Sequence, residues 1–333
     1  MKALIYGAGS LGIVLGAYLA KGGADITLCN RNPAQVAALQ EKGAQVTGTV
    51  EMTVPVQAVL PGDIQDRYDV IFLMTKQLDN AANCAFLKDK LTKKGVIVTL
   101  QNGMPEMGVA EVIGSERTLG CAVAWGATLE GNGVSRLTSE PDSLTMSLGR
   151  MPGVPDETLA AVKGLLELMC PVEVEENFMG ARMSKLLINA AFSGMSAVIG
   201  GTFGEAAGNK ASRRVVQALI KECIDVSRAA GIRMAPVQGK DIAALLDYHG
   251  PVKKLISFLV IPIAIKKHAA LKASMLQDLE KGKRTEVDAI NGQVCRLGKA
   301  HGVATPYNDT VVRLIHEMEM GKRRPGMENL TAF

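Results

Sequence analysis

The chain has 333 residues, 47% of them hydrophobic, and its 37 Lys and Arg against 33 Asp and Glu leave a formal net charge of +4. That length has room for two domains and a substantial core, and so small a charge excess, with no basic cluster interleaved with aromatics, makes no case for a nucleic-acid partner. The six cysteines (Cys29, Cys84, Cys121, Cys170, Cys223 and Cys295) form no Cys-x-x-Cys pair, which reads as reduced thiols in a cytoplasmic protein rather than a disulfide or zinc framework. His249, His268, His301 and His316 show no ligand-type spacing, so no metal is expected. No membrane segment is expected either: the N-terminus is broken by glycines where a signal peptide keeps an unbroken apolar helix. The apolar run Leu255 to Ile265 is interrupted by Ser257 and Pro262 and is far short of the roughly 20 residues that span a bilayer. It reads as a buried helix or a ligand-facing wall.

In chain order, Lys2 to Tyr6 is a short apolar run of strand type, followed without a spacer by Gly7-Ala8-Gly9-Ser10-Leu11-Gly12 and an apolar helix from Leu11 to Ala20. This is the Gly-x-Gly-x-x-Gly turn between strand and helix. Gly7 permits the tight turn, Gly9 lets backbone N–H groups approach a pyrophosphate, and Gly12 lets the helix lie close on the strand. The phosphates then meet the positive end of a helix dipole. Asp25 to Cys29 reads as the second strand and ends at Asn30-Arg31. An NAD-binding chain usually carries Asp or Glu about 20 residues beyond the glycines. Here no carboxylate repels a ribose phosphate and Arg31 can grip one, so NADPH is expected.

A helix from Pro33 to Lys42 and a β-rich stretch from Gln45 to Val59 follow. The strand Asp69 to Met74 is apolar nearly throughout, as a parallel strand covered on both faces should be. It ends at Thr75-Lys76, where ligands of open α/β sheets lie, so Lys76 is a candidate phosphate or ribose contact; an exposed loop lysine fits the local sequence equally well. The strand Gly95 to Leu100 delivers Gln101-Asn102-Gly103 to the same edge, which favours a polar role for Asn102 over a hairpin. A strand from Leu119 to Val123, the glycine-containing Trp125-Gly126-Ala127, a two-stranded excursion from Gly133 to Leu148, a helix from Asp156 to Met169 and a strand from Val172 to Glu175 complete this domain, with its boundary at residue 176.

From Asn177 onward only helices are convincing: Ala181 to Val198, Ala211 to Ala230, Pro236 to Asp247, Val252 to Leu279, Thr285 to Lys299 and Asn308 to Gly321, with Gly321 to Phe333 as a solvated tail. The expected fold is α/β: a Rossmann-type dinucleotide-binding domain over 1–176 and an all-α domain over 177–333. In the first of these helices Lys185, Asn189 and Ser193 recur every four positions among apolar residues, which places them along one face. A lysine flanked by Leu186, Leu187 and Ile188 is costly to bury unpaired, so it snorkels outward, pairs with a carboxylate or lines a cleft. Further on, Gly282 can stop one helix, and Thr285 with Asp288 has the spacing of a capping box that starts the next. Glu286 then falls in a first helical turn, where the dipole is reason enough for its charge.

These features together resemble the ketopantoate reductase (2-dehydropantoate 2-reductase) family: the glycine turn, Asn102-Gly103, Lys185 with Asn189, Ser274-Met-Leu-Gln-Asp278, and Thr285-Glu286-Val-Asp288-x-Ile-Asn291-Gly292. The anchors span nearly the whole chain. The resemblance implies a two-domain, 6-phosphogluconate-dehydrogenase-like reductase with a cleft between its domains, NADPH as hydride donor, and a small 2-oxo acid reduced to a 2-hydroxy acid. By that pattern Lys185 is the proton donor with Glu286 beside it and the cofactor; Asn102, Asn189, Ser193 and Ser274 hold substrate, Asn102 touching cofactor as well. Gly7 to Gly12, Arg31, Lys76 and the Gly126 backbone bind NADPH. An ammonium near the carbonyl can neutralise the developing oxyanion and donate a proton, and a neighbouring carboxylate can keep that ammonium charged. Two positions depart from the pattern: Ser193 stands where the family often has Asn, and Phe203 where it has Asn before the Gly-Glu pair. They point to a different or bulkier 2-oxo acid, or to harmless variation. A homodimer through the helical domain is compatible with the sequence, which does not determine it.

Overall fold

The computed structural model describes every residue except Gln238 and divides into two compact units. One comprises Met1–Gln101 and Pro105–Phe178, the other Asn102–Met104 and Met179–Phe333.

In the first unit the chain runs β1 (Lys2–Tyr6), α1 (Ser10–Lys21), β2 (Asp25–Cys29), α2 (Pro33–Lys42), β3 (Ala44–Gly48), β4 (Met52–Val54), β5 (Gln57–Val59), β6 (Tyr68–Leu73), α3 (Asn80–Lys88), β7 (Leu91–Thr99), α4 (Pro105–Ile113), β8 (Thr118–Val123), β9 (Ala127–Gly131), β10 (Val134–Leu137), β11 (Met146–Arg150), α5 (Asp156–Leu166) and β12 (Val172–Val174). Eight strands form one sheet in the order β12-β11-β8-β7-β6-β1-β2-β5. From β5 to β8 all neighbours are parallel. Numbered as successive strands of this sheet, that stretch is the doubly wound order 3-2-1-4-5-6, whose direction reverses between β1 and β6. Strand alternation explains the coverage of both faces. Ala3 and Ile5 of β1 pack with Ile13 and Leu15 of α1, while Leu4 and Tyr6 pack with Leu87 of α3 and Val109 of α4. All four of these β1 side chains are buried, so neither face could be polar.

The excursion expected from Gly133 to Leu148 is different in the structure. β10 joins β3, β4 and β9 in a separate four-stranded sheet, whereas β11 runs antiparallel to β8 in the main sheet. β9 went unread because most of its residues are exposed and carry no apolar alternation. Periodicity identifies a strand but not its partner, and the pairing of β10 with β3 joins segments far apart in the chain.

The second unit contains α6 (Phe178–Ile188), a π turn (Asn189–Ser193), α7 (Gly194–Ile199), α8 (Phe203–Gly208), α9 (Lys210–Ala229), α10 (Ile242–Leu246), α11 (Pro251–Ala264), α12 (Ser274–Glu280), α13 (Asn291–Ala300) and α14 (Pro306–Glu319). The helix expected over Pro236 to Asp247 shrinks to α10, and part of it lies outside the described residues. The one expected from Val252 to Leu279 is two helices, because Lys266–His268 tighten into a 3-10 turn and Ala273 is extended. Nor is α11 a buried helix. Ser257 and Ile261 seat it, the Ser257 Oγ donating to the Leu246 carbonyl at 2.9 Å, while Val252, Leu255, Ile256, Leu259 and Ile263 are exposed. None of the helices is long and apolar enough to cross a membrane, among the described residues.

The C-terminal residues are not a solvated tail. Met327–Ala332 form a 3-10 helix, and Phe333 stacks on Tyr307 with ring centroids 6.0 Å apart. Asn329 is fully buried; its Nδ2 donates to the carbonyls of Val198 and Arg324, both at 2.9 Å, and its Oδ1 accepts from Arg323 at 2.9 Å. A polar side chain with three partners gives no apolar signal in the sequence. Asn329→Ala strands buried backbone acceptors and is expected to cost about 1–3 kcal/mol, read as a lower urea midpoint; an unchanged midpoint would show that this turn adds nothing to stability.

Candidate functional site

At the end of β1 the backbone reverses at Gly7, with φ +113, and a Cβ there would fall 2.6 Å from the Thr75 nitrogen. The N–H groups of Gly7 and Ala8 donate to the Cys29 carbonyl at 3.0 and 2.9 Å, tying the turn to the end of β2. The Ala8 carbonyl is held inward by Asn30 Nδ2 at 2.8 Å and Gln35 Nε2 at 3.0 Å, and the Ala8 side chain is buried. Asn30 and Gln35 are both amides shortly after β2 that fix the loop, a role that no local sequence pattern signals. Gly12 is required by close packing, since a Cβ would lie 2.6 Å from the Gly7 carbonyl oxygen and 3.1 Å from Ile5 Cγ2. Gly9 is the opposite case: a Cβ there would meet nothing within 4 Å.

That open space belongs to a cavity of about 410 Å³ walled by Gly9 to Gly12, Arg31 and Lys76 among others. It lies beyond the carboxyl ends of β1 and β6, where the strand order reverses. No side chain caps α1, and no acidic residue occupies its first turn. Its first N–H groups therefore meet the cavity without a competing acceptor. Arg31 and Lys76 are exposed at the wall and supply positive charge. Burial pushes the Cys29 thiol up to about 12, so that wall residue stays neutral at physiological pH. An open glycine, an uncapped helix start and two cations fit a dinucleotide whose phosphates lie over Gly9 to Gly12.

Two other residues expected at the site do not line this cavity. Gly126 is not part of this wall: its N–H donates to Ser139 Oγ at 3.0 Å and its carbonyl accepts from the Thr138 N–H at 3.0 Å. Asn102 is exposed in a bend, with Gly103 at φ +80, that leads into α4 rather than into a hairpin. Just before it, Gln101 has a structural role that its sequence context does not signal. Its amide exchanges hydrogen bonds with Asn80 at 2.7 and 2.9 Å and donates to the Thr75 carbonyl at 2.7 Å, which ties together the loops after β6 and β7.

In the helical unit Lys185, Asn189 and Ser193 are each half-buried, whereas Leu186, Leu187 and Ala190 between them are buried. The helix is not uniform, however, because Asn189–Ser193 form a π turn between α6 and α7. Its wider turn keeps residues four apart near one face and is common where side chains must be aimed. α12, which begins at Ser274, packs on α7 and the π turn, and the Ala273 N–H donates to Ser196 Oγ at 3.3 Å. Phe203 is buried against Phe192, with ring centroids 5.8 Å apart, so this position supplies core packing where an amide would supply hydrogen bonds.

The capping box expected at Thr285 does not form. Glu319 Oε1 takes both the N–H and the hydroxyl of Thr285 at 2.7 Å, and Asp288 pairs with His316 at 3.1 Å. A three-residue 3-10 turn comes directly after Glu286, and α13 starts only at Asn291. Glu286, half-buried, is thus not in the first turn of an α-helix, and the dipole explanation for its charge fails.

Residues 3–152 match the sequence model described as ketopantoate reductase PanE/ApbA, and residues 177–319 match that of its C-terminal part. The chain belongs to the ketopantoate reductase family. It is therefore an oxidoreductase of the 2-dehydropantoate 2-reductase type. A curated 2-dehydropantoate 2-reductase of Pyrococcus horikoshii is 28% identical over 325 residues, covering 96% of this chain and 98% of that protein. Among solved structures, a PanE/ApbA family ketopantoate reductase from Ralstonia eutropha superposes with a TM-score of 0.81 at 24% identity, covering 97% and 99% of the two chains. A D-mandelate dehydrogenase solved with NADH and anilino(oxo)acetate gives 0.80 at 24% identity, covering 96% and 99%. At that identity these likenesses bear on the fold.

The two glycines separate binding from folding. Gly9→Ala, at φ −87 with open space for its methyl, should melt like the wild type while its dissociation constant for NADPH in a fluorescence titration rises at least about tenfold. Gly12→Ala should lose stability as well. Wild-type affinity in Gly9→Ala would remove the phosphates from this loop.

Proposed function

We propose that the protein reduces 2-dehydropantoate to pantoate with NADPH, in the cytoplasm, as a step toward pantothenate and coenzyme A. The observation that carries this reading is the half-buried face of Lys185, Asn189 and Ser193, set among the buried Leu186, Leu187, Ala190 and Ala191. That face carries an ammonium and two hydrogen-bonding side chains one turn apart, the groups needed to hold a 2-oxo acid and to neutralise charge on its oxygen. In the proposal Gly7 to Gly12, with Arg31 and Lys76, hold the dinucleotide, Arg31 on the ribose phosphate; Asn102 contributes from the β7–α4 bend. NADPH supplies the hydride. Lys185 stabilises negative charge as it grows on the substrate oxygen and then gives up its proton. Asn189, Ser193 and Ser274 orient the 2-oxo acid, and Glu286 keeps the lysine protonated.

The test is NADPH oxidation by purified protein, with ketopantoate set beside pyruvate, 2-oxoisovalerate and a bulky 2-oxo acid. Turnover confined to ketopantoate is expected; binding of NADPH without turnover on any of the four would leave a sensor instead. Lys185→Ala should lower kcat by about 10²- to 10⁴-fold with NADPH affinity within twofold, and unchanged turnover would remove the lysine from the mechanism. Arg31→Ala should raise KM for NADPH about tenfold or more and leave KM for NADH unmoved. An equal effect on both cofactors would detach Arg31 from the ribose phosphate.

One observation favours a second reading, reduction of another 2-oxo acid. Phe203 is packed into the core beside the π turn, where the family pattern often places an amide. Apolar walls discriminate weakly between methylenes, whereas amides that bond a hydroxyl discriminate strongly. A higher kcat/KM for the bulky acid than for ketopantoate would establish this alternative.

A further inference from the structure

The π turn is held from behind. Gly194 N–H, which an α-helical turn would give to the Ala190 carbonyl, is donated to the Asn189 carbonyl. The Ala190 oxygen accepts from Asn291 Nδ2 at 3.0 Å instead. The same Nδ2 donates to Asn308 Oδ1 at 2.9 Å, and Asn308 Nδ2 donates to Glu222 Oε2 at 2.7 Å. Glu222 is fastened in turn by the backbone N–H groups of Tyr307 at 2.8 Å and Asn308 at 3.0 Å. Asn291 and Asn308 are fully buried and Glu222 nearly so. One chain of side chains thus runs from α9 through α14 and α13 to the inner edge of the π turn.

Two details show that this is a built feature rather than incidental packing. Gly194 makes room for it, since a Cβ there would lie 2.9 Å from Asn291 Oδ1 and 3.1 Å from Nδ2. Asn291 Oδ1 has no hydrogen-bond partner, although it is buried. A buried amide with an unpaired oxygen is a poor choice for stability alone, because an apolar residue of similar shape would avoid that cost. What only the amide supplies is a donor for the carbonyl that the π turn leaves over.

We propose that Asn291, oriented by Asn308 and Glu222, is a positioning residue for the reduction: it holds the π turn that sets how far round the helix Ser193 lies from Asn189 and Lys185. This rests on the reductase reading above. Without the donor, Gly194 N–H returns to the Ala190 carbonyl, the segment relaxes to an α-helix, and Ser193 rotates about the helix axis away from its present position relative to Asn189 and Lys185.

The experiment compares Asn291→Leu with Val294→Ala, a buried truncation on the same helix, each assayed equally far below its own melting temperature. Asn291→Leu should lose about 10- to 100-fold in kcat/KM for the 2-oxo acid, the scale of an ångström-sized misplacement. Its NADPH affinity should stay within twofold, and its preference between two 2-oxo acids should shift. Val294→Ala should change neither rate nor preference. Gly194→Ala, which displaces the amide without removing it, should reproduce the Asn291→Leu kinetics and decides the matter if Asn291→Leu does not fold. Kinetics of either variant matching Val294→Ala overturn the inference while the wild-type enzyme stays active. A wild type that reduces no 2-oxo acid brings down the reductase reading and this role with it.

Discussion

The close approach of α1 to the ends of β1 and β6 is the constraint on which the dinucleotide unit depends. It leaves no room for a Cβ at Gly7 or Gly12, and it turns the start of α1 toward the 410 Å³ cavity. Sterics alone would not orient the loop. The Ala8 carbonyl, gripped by Asn30 and Gln35, and the Cys29 carbonyl, gripping the Gly7 and Ala8 N–H groups, hold its internal polar groups inward. The helix start is then left facing open space, where an anion is the natural occupant.

The helical unit meets a comparable demand by a different route. Its core is apolar, yet it contains the Glu222, Asn308 and Asn291 chain and the Asn329 cluster, each buried and each bonded to backbone groups that a π turn or a helix end leaves without an intrahelical partner. Both clusters serve the α6 to α7 segment, one at the Ala190 carbonyl and the other at the Val198 carbonyl. That segment carries the lysine, so both clusters brace the helix assigned to chemistry. Burial pushes the Glu222 carboxyl up, opposed by the N–H groups of Tyr307 and Asn308. Between the unfolded and folded pKa values the folded state binds the proton more readily, so this group's contribution to stability declines as pH rises through that window.

Much was legible in the residues. The glycine turn, β1, β2, β6, β7 and the change from α/β to helices at the end of the first unit all follow from short-range patterns: period-2 or fully apolar runs, glycine spacing and helical periodicity. The Lys185, Asn189 and Ser193 face was legible for the same reason. Less was legible where long-range partners decide. The division of the β-rich segments between two sheets, the break between α11 and α12, the seating of α11 by Ser257 and Ile261, and the docking of the C-terminal residues through Asn329 each depend on contacts with distant chain.

The sequence by itself determined the glycine turn and singled out the candidate lysine, because both rest on local geometry: glycines where a Cβ cannot fit, and a polar residue at each helical turn. Only the tertiary structure decided that Glu286 lies outside an α-helix, that Phe203 is core, and that the lysine's helix contains a π turn anchored by Asn291. Each of those is set by a partner beyond the reach of one helical turn, Glu319 for Thr285, Phe192 for Phe203 and Asn291 for Ala190, and no local pattern of residue types encodes which of two competing acceptors a buried donor will choose.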